Sequence, residues 1–140
     1  MNTGDSMQDI RSKEQMQIIL SLSKIYTSVY YIDLVNNYFK ELSSLSDVHT
    51  HIGEAGDAQE RLNYFCRNMA IADYTEELLK FVDLSTLEQR LGSSRIISKP
   101  YQSSLFVSPE TGKRECWALC SFIEGDRDAD GRLSHVIFVT

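Results

Sequence analysis

The stretch Ile25-Tyr-Thr-Ser-Val-Tyr-Tyr-Ile-Asp-Leu34, followed by Val35-Asn36-Asn37 and then Tyr38-Phe-Lys-Glu-Leu42, decides the fold class. Aromatic and β-branched side chains crowd the first segment, and they fit a pleated, half-buried surface. The two asparagines tolerate left-handed backbone and supply turn chemistry. Two strand-like runs about such a turn predict a β-hairpin over 25–42.

Upstream of the hairpin the periodicity is helical. Residues 1–6 read as a flexible lead-in. Ser12 with Gln15 three positions later matches a capping box, and Met16, Ile18, Ile19, Leu20 and Leu22 follow it. A helix is expected over 8–24.

Downstream come three helix starts. Asp57 with Glu60 opens a segment in which Leu62, Phe65, Cys66 and Met69 share a face. Asp73 with Glu76 opens a second, carrying Leu78, Leu79 and Val82. Ser85 with Glu88 opens a third, carrying Leu87 and Leu91 and stopped by Gly92. Helices this short need a surface to pack on.

The last third is strand-like again. Residues 96–108 form one extended run, and Pro100 within it marks an edge strand, because proline donates nothing to a ladder. A turn at 109–112, a strand over 114–124, a loop at 125–131 and a final strand over 132–140 complete the chain. Two strands, three short helices and three strands predict an α+β domain over 25–140 with a five-stranded antiparallel sheet and helices on one face. The late strands are apolar on both faces. Cys116, Ala118, Cys120 and Phe122 oppose Trp117, Leu119 and Ile123, and in the last strand Leu133, Ile137 and Val139 oppose Val136 and Phe138. A sheet with one wet face alternates apolar with polar. The second face here therefore calls for the N-terminal helix, a second subunit, or both.

Composition sets the outer bounds. The chain has 140 residues, one domain's worth, with 42% hydrophobic and 24% charged residues, so it can bury a real core. Its net charge of −6, without a basic patch, disfavours nucleic acid and anionic membrane surfaces as partners. The apolar run from Met16 to Leu22 is too short to span a bilayer, and no basic segment and cleavage site precede it. Three cysteines, Cys66, Cys116 and Cys120, lack disulfide-scaffold density. The expectation is a cytoplasmic protein with reduced, buried thiols.

Several local sequences, in their order, resemble a PAS domain over 25–140. Ser28-Val-Tyr-Tyr-Ile-Asp-Leu34 is similar to that family's first strand and its turn. Phe81-Val-Asp-Leu-Ser-Thr-Leu-Glu-Gln-Arg-Leu91 is similar to the helical stretch before its third strand in bacterial signalling proteins. Residues 124–139, an acidic Asp-Gly turn followed by an apolar strand, resemble its final hairpin. The resemblance implies a sensory or dimerisation module without catalysis of its own. It also implies a homodimer formed through the N-terminal helix and the outer sheet face, and an output domain such as a diguanylate cyclase or histidine kinase beyond Thr140. Amphipathic faces nominate Phe65, Met69, Trp117 and Leu119 as the lining of a small-molecule pocket.

Other motifs point to less. Asp126-x-Asp128-x-Asp130-Gly131 resembles the start of a calcium loop, but the position of the closing Glu is Ile137, and an Asp-Gly hairpin turn explains it better. Cys116 and Cys120 on one strand lie about 13 Å apart from strand rise alone, too far for a disulfide or one zinc ion. His49 and His51 belong to an expected loop, where surface histidines outnumber metal ligands. Cys66-Arg67 invites comparison with flavin-binding light sensors, but the surrounding residues depart from that pattern. No histidine lies between Gly53 and Gly92 to ligate haem. The cofactor is thus unknown, with flavin, haem and tight calcium disfavoured. Two alternatives stand beside the sensor: a pure protein-interaction domain with a filled core, and a small cone-shaped α+β enzyme using Asp33 or His135. A cavity of a few hundred Å³ separates the sensor from the interaction domain.

Overall fold

The computed structural model describes residues 28–44 and 55–140. Strands β1 (Ser28–Asp33) and β2 (Tyr38–Ser44) form the expected hairpin, with Asn37 at φ 51° in its turn. A three-residue strand β3 (Ala55–Asp57) leads into helix α1 (Ala58–Met69). Helix α2 (Ala72–Phe81), a 3-10 turn (Leu84–Thr86) and helix α3 (Leu87–Leu91) follow. Strands β4 (Ile96–Ser103), β5 (Cys116–Glu124) and β6 (His135–Val139) complete the chain. The sheet has six strands in the order β3-β2-β1-β6-β5-β4, every pair antiparallel. The domain is therefore α+β, an open antiparallel sheet with three helices packed on it. The helix expected over 8–24, His49 and His51 lie outside the described residues.

The sheet carries one strand more than the five expected. Its extra strand, β3, pairs Ala55–Asp57 with Lys40–Tyr38, and three residues with a glycine at their centre offer no periodicity to read. Pro100 does mark an edge, since β4 is the last strand on its side. That strand stops at Ser103, short of residue 108. Ala70 bridges to Ser103, and the Ser103 hydroxyl accepts the Leu105 N–H, which turns the chain away.

Two of the three helix caps differ from expectation. Asp57 caps α1 as predicted, its carboxylate accepting the Glu60 N–H at 2.8 Å. Helix α2 begins after Ile71 with no side-chain cap. Its start is set by tertiary contact, because the Ile71 N–H donates to the Gln102 carbonyl on β4 at 3.0 Å. Asp73 sits inside the first turn, where its charge still suits the helix dipole. At the third start Asp83, not Ser85, supplies the cap by accepting from both the Ser85 N–H and its hydroxyl. Glu88 is drawn away from a capping role and accepts the Leu133 N–H at 2.8 Å, 45 positions along the chain. Gly92 ends α3 at φ 54°, as read from the sequence.

The core lies between the helices and one face of the sheet. Leu62, Phe65, Leu78, Val82, Leu87 and Leu91 from the helical segments meet Tyr30, Ile32, Tyr101, Cys120, Phe122, Val136 and Phe138 from the strands. Phe138 touches the rings of Phe122, Phe65 and Tyr30, at centroid separations of 4.9, 5.6 and 6.5 Å. Leu133 also joins this core, whereas strict alternation places it with Ile137 and Val139. The Asp126 carbonyl accepts both the Ser134 and His135 N–H groups, so two residues oppose one and the alternation slips there.

Gln59 bolts the helical layer together. Its amide nitrogen donates to the Asn63 side chain and the Val82 carbonyl, both at 3.0 Å, and its oxygen accepts the Leu84 N–H at 2.8 Å. Gln59→Leu removes these bonds while keeping similar bulk. We expect it to lower stability by about 1–3 kcal/mol, because it strands the backbone groups at the α2–α3 turn. The midpoint of urea unfolding measures this.

Candidate functional site

The four residues nominated as pocket lining fall on opposite sides of the sheet. Phe65 and Met69 belong to the helix-side core and are buried. Trp117 and Leu119 project from the other face and are 60% and 49% exposed. Period-2 alternation along β5 requires this split, because Ala118 and Cys120 face the core between and beside them. The four therefore do not line one cavity. At the helix-side interface a cavity of about 10 Å³ lies among Tyr30, Phe39, Leu62, Phe65 and Phe138. That is about the space of a single water and far from the few hundred Å³ a ligand needs. An open groove of about 470 Å³ lies on the helix surface beside Gln59, Asn63 and Asp83, but Gln59 and Asp83 are already engaged in holding the turn.

The buried thiols are placed for packing. Cys66 and Cys120 are fully buried, and burial pushes the Cys66 thiol up to about 12 and raises Cys120 as well. Burial likewise raises the neighbouring Tyr101 phenol. A protonated, inaccessible thiol is neither nucleophile nor metal ligand at neutral pH. Among the described residues no group of three or more His, Cys, Asp or Glu side chains could hold a metal ion. In the acidic loop Asp128 spends its carboxylate on the Asp130 and Arg132 N–H groups, and Gly131 turns at φ 80°. No helix among the described residues is long and apolar enough to cross a membrane.

The outer face of the sheet has a buried centre and an open flank. Val29 on β1, Val139 on β6 and Ser121 on β5 lie in register across it and are buried, although none belongs to the helix-side core. Toward the β4 edge, Trp117, Leu119 and Ile96 are about half exposed or more. Trp117 keeps one edge-on ring contact, with Tyr74 of α2. The two-sided apolar pattern read from the sequence is thus this face.

A polar cluster occupies one end of the same face. Asp33 and His135, the strand residues singled out for an enzymatic alternative, are register partners, with Oδ2 and Nε2 3.8 Å apart. They stand across the sheet from the helix-side cavity. The His135 ring stacks on Tyr31 at 5.1 Å, and its Nδ1 is 2.9 Å from the Ser134 hydroxyl. Burial, with the Asp126 and Asp33 charges nearby, holds the Tyr31 phenol above the usual range. Asp33 accepts from the Val35 and Asn36 N–H groups and the Asn36 amide, and these bonds, the Asn36 side chain first, hold its carboxyl below the usual range. Ser134 and Tyr31 were not singled out from the sequence; the pairing of β1 with β6 brings Tyr31 and Asp33 to His135, and Ser134 is its chain neighbour.

No protein-family model matches the sequence, and no curated protein matches it.

The depressed carboxyls predict an acid limb in stability. The carboxyls of Asp33, Asp83 and Glu88 all lie below their ordinary values through hydrogen bonds made in the folded state. Their contribution is present above the unfolded carboxylate range, about pH 4, and is lost as pH falls through the folded values. In thermal unfolding from pH 7 to pH 2, Asp33→Asn should be less stable than wild type at pH 7, with the difference shrinking toward pH 2.

Proposed function

We propose that the chain is a PAS-type signalling module that works by self-association, with its open outer sheet face as the contact surface. The observation that carries this reading is the exposed strip of Ile96, Trp117 and Leu119, on the face opposite a helix-side core whose cavity at Phe138 holds only about 10 Å³. Among the readings open from the sequence, the small helix-side cavity among the described residues favours interaction over small-molecule sensing. The antiparallel sheet with short helices on one face is what the PAS resemblance implies, and β3 is an addition to it.

Self-association fits the chemistry of the strip. It is uncharged, with Ser98, Pro100, Gln102 and Ser121 between the apolar residues on the same face. Large exposed apolar side chains gain about 25 cal/mol for each Å² removed from water. A helix over 8–24, as the sequence predicts, would extend the contact. The dimer would bias an output domain through β6, just after which Thr140 is hydrogen-bonded to Ser28 at the start of β1.

Sedimentation velocity over a concentration series tests this on the full chain. Wild type should show a concentration-dependent dimer. Trp117→Glu and Leu119→Glu should each weaken it by at least about tenfold, because losing a central apolar anchor costs about 2 kcal/mol or more. A wild type that stays monomeric at high concentration, or variants that dimerise unchanged, removes the reading.

A further inference from the structure

We propose that His135 is a proton-operated latch between the β1–β2 hairpin and the acidic loop at 125–131. The Ser134 hydroxyl lies 3.0 Å from the Asp126 carbonyl and 2.9 Å from His135 Nδ1, and it has one proton to give. When that proton goes to Asp126, Nδ1 must carry the hydrogen donated back to Ser134. A neutral ring then turns a bare Nε2 lone pair toward the Asp33 carboxylate. When the hydroxyl instead donates to Nδ1, Nε2 carries the hydrogen toward Asp33, and the Asp126 carbonyl loses the hydroxyl. Only the doubly protonated ring serves both sides at once.

The spacing agrees with a contact that changes state. At 3.8 Å, Nε2 and the Asp33 oxygen are too far apart for a hydrogen bond yet within reach of an ion pair. Charging the ring draws it toward the carboxylate. The groups in contact with the ring are Asp33 and Tyr31 from β1 and the Ser134 hydroxyl, and Asp126 of the loop lies beside Tyr31. Beyond them Glu124 and Arg127 are paired with each other. The formal charge in contact with the ring is the Asp33 carboxylate.

Both ends of the latch are tied to the helical layer. The hairpin turn docks on the start of α1, where the Asn37 carbonyl accepts the Ala58 N–H, its side-chain oxygen accepts the Gln59 N–H, and its amide donates to Asp57. The loop is held to α3 by Glu88, through the Leu133 N–H and Arg132. Histidine is the side chain whose charge changes between about pH 5 and 8. Gain or loss of one proton at His135 thus adds or removes a tie between the two ends of the helical layer, independently of whether the protein dimerises.

The Val35 and Asn36 N–H groups, both bonded to the Asp33 carboxylate, report on the latch. Amide and histidine-ring signals of the ¹⁵N-labelled full chain are followed from pH 5 to 8. In wild type both amide signals should move in one transition that coincides with titration of the His135 ring. His135→Gln should abolish that transition. In Asp33→Asn the ring should still titrate while the two amides follow it no longer. The latch is refuted by amides that stay still while the wild-type ring titrates, or by a transition that persists in His135→Gln. An unfolded His135→Gln variant would leave the Asp33→Asn comparison to decide, and amides that still follow the ring there refute the latch as well.

Discussion

Phe138 is the point on which the rest of the structure depends. It sits on β6, the strand that joins the N-terminal hairpin to the C-terminal strands, and its ring meets Tyr30 from β1, Phe122 from β5 and Phe65 from α1. Both halves of the sheet and the first helix are thus held by one side chain with no exposure to water. Aromatic pairs in edge-on or tilted arrangements add about 0.5–1.5 kcal/mol each beyond their buried area. The helices are too short to persist alone, so their order depends on this surface. The near absence of free volume beside Phe138 follows from the same packing.

The helix side is closely packed around Phe138, and the other face differs from it. There the sheet is uneven, with a buried apolar centre at Val29 and Val139, an open apolar flank at Trp117 and Leu119, and a polar end at Asp33 and His135. Each region suits different chemistry. The open flank is apolar and exposed, whereas the polar end is a hydrogen-bonded and ion-paired seam. β6 joins the two regions, pairing with β1 at Asp33 and with β5 beyond Leu119.

Loops that look peripheral carry long-range ties. Glu88 reaches from α3 to the Leu133 N–H, Asn37 reaches from the hairpin to α1, and Gln59 reaches from α1 to the α2–α3 turn. Each side chain satisfies a backbone group that would otherwise end an element without a partner. The acidic loop is shaped in the same way, by Asp128 on its own backbone and Arg127 on Glu124.

Features set by neighbours along the chain were legible in the sequence. These include the asparagine turn, the Asp57 cap, the Gly92 stop, the edge strand at Pro100 and the apolar second face of β5. Each rests on a spacing of two to four residues or on the backbone limits of one residue type. The tertiary structure alone decided the start of α2 at Ile71, the diversion of Glu88 to Leu133, the slip that turns Leu133 into the core, and the short strand β3. It also parted Phe65 and Met69 from Trp117 and Leu119, and brought His135 to Asp33. These outcomes depend on strand register and on hydrogen bonds between residues tens of positions apart. Local periodicity carries no information about which distant backbone group a side chain will meet.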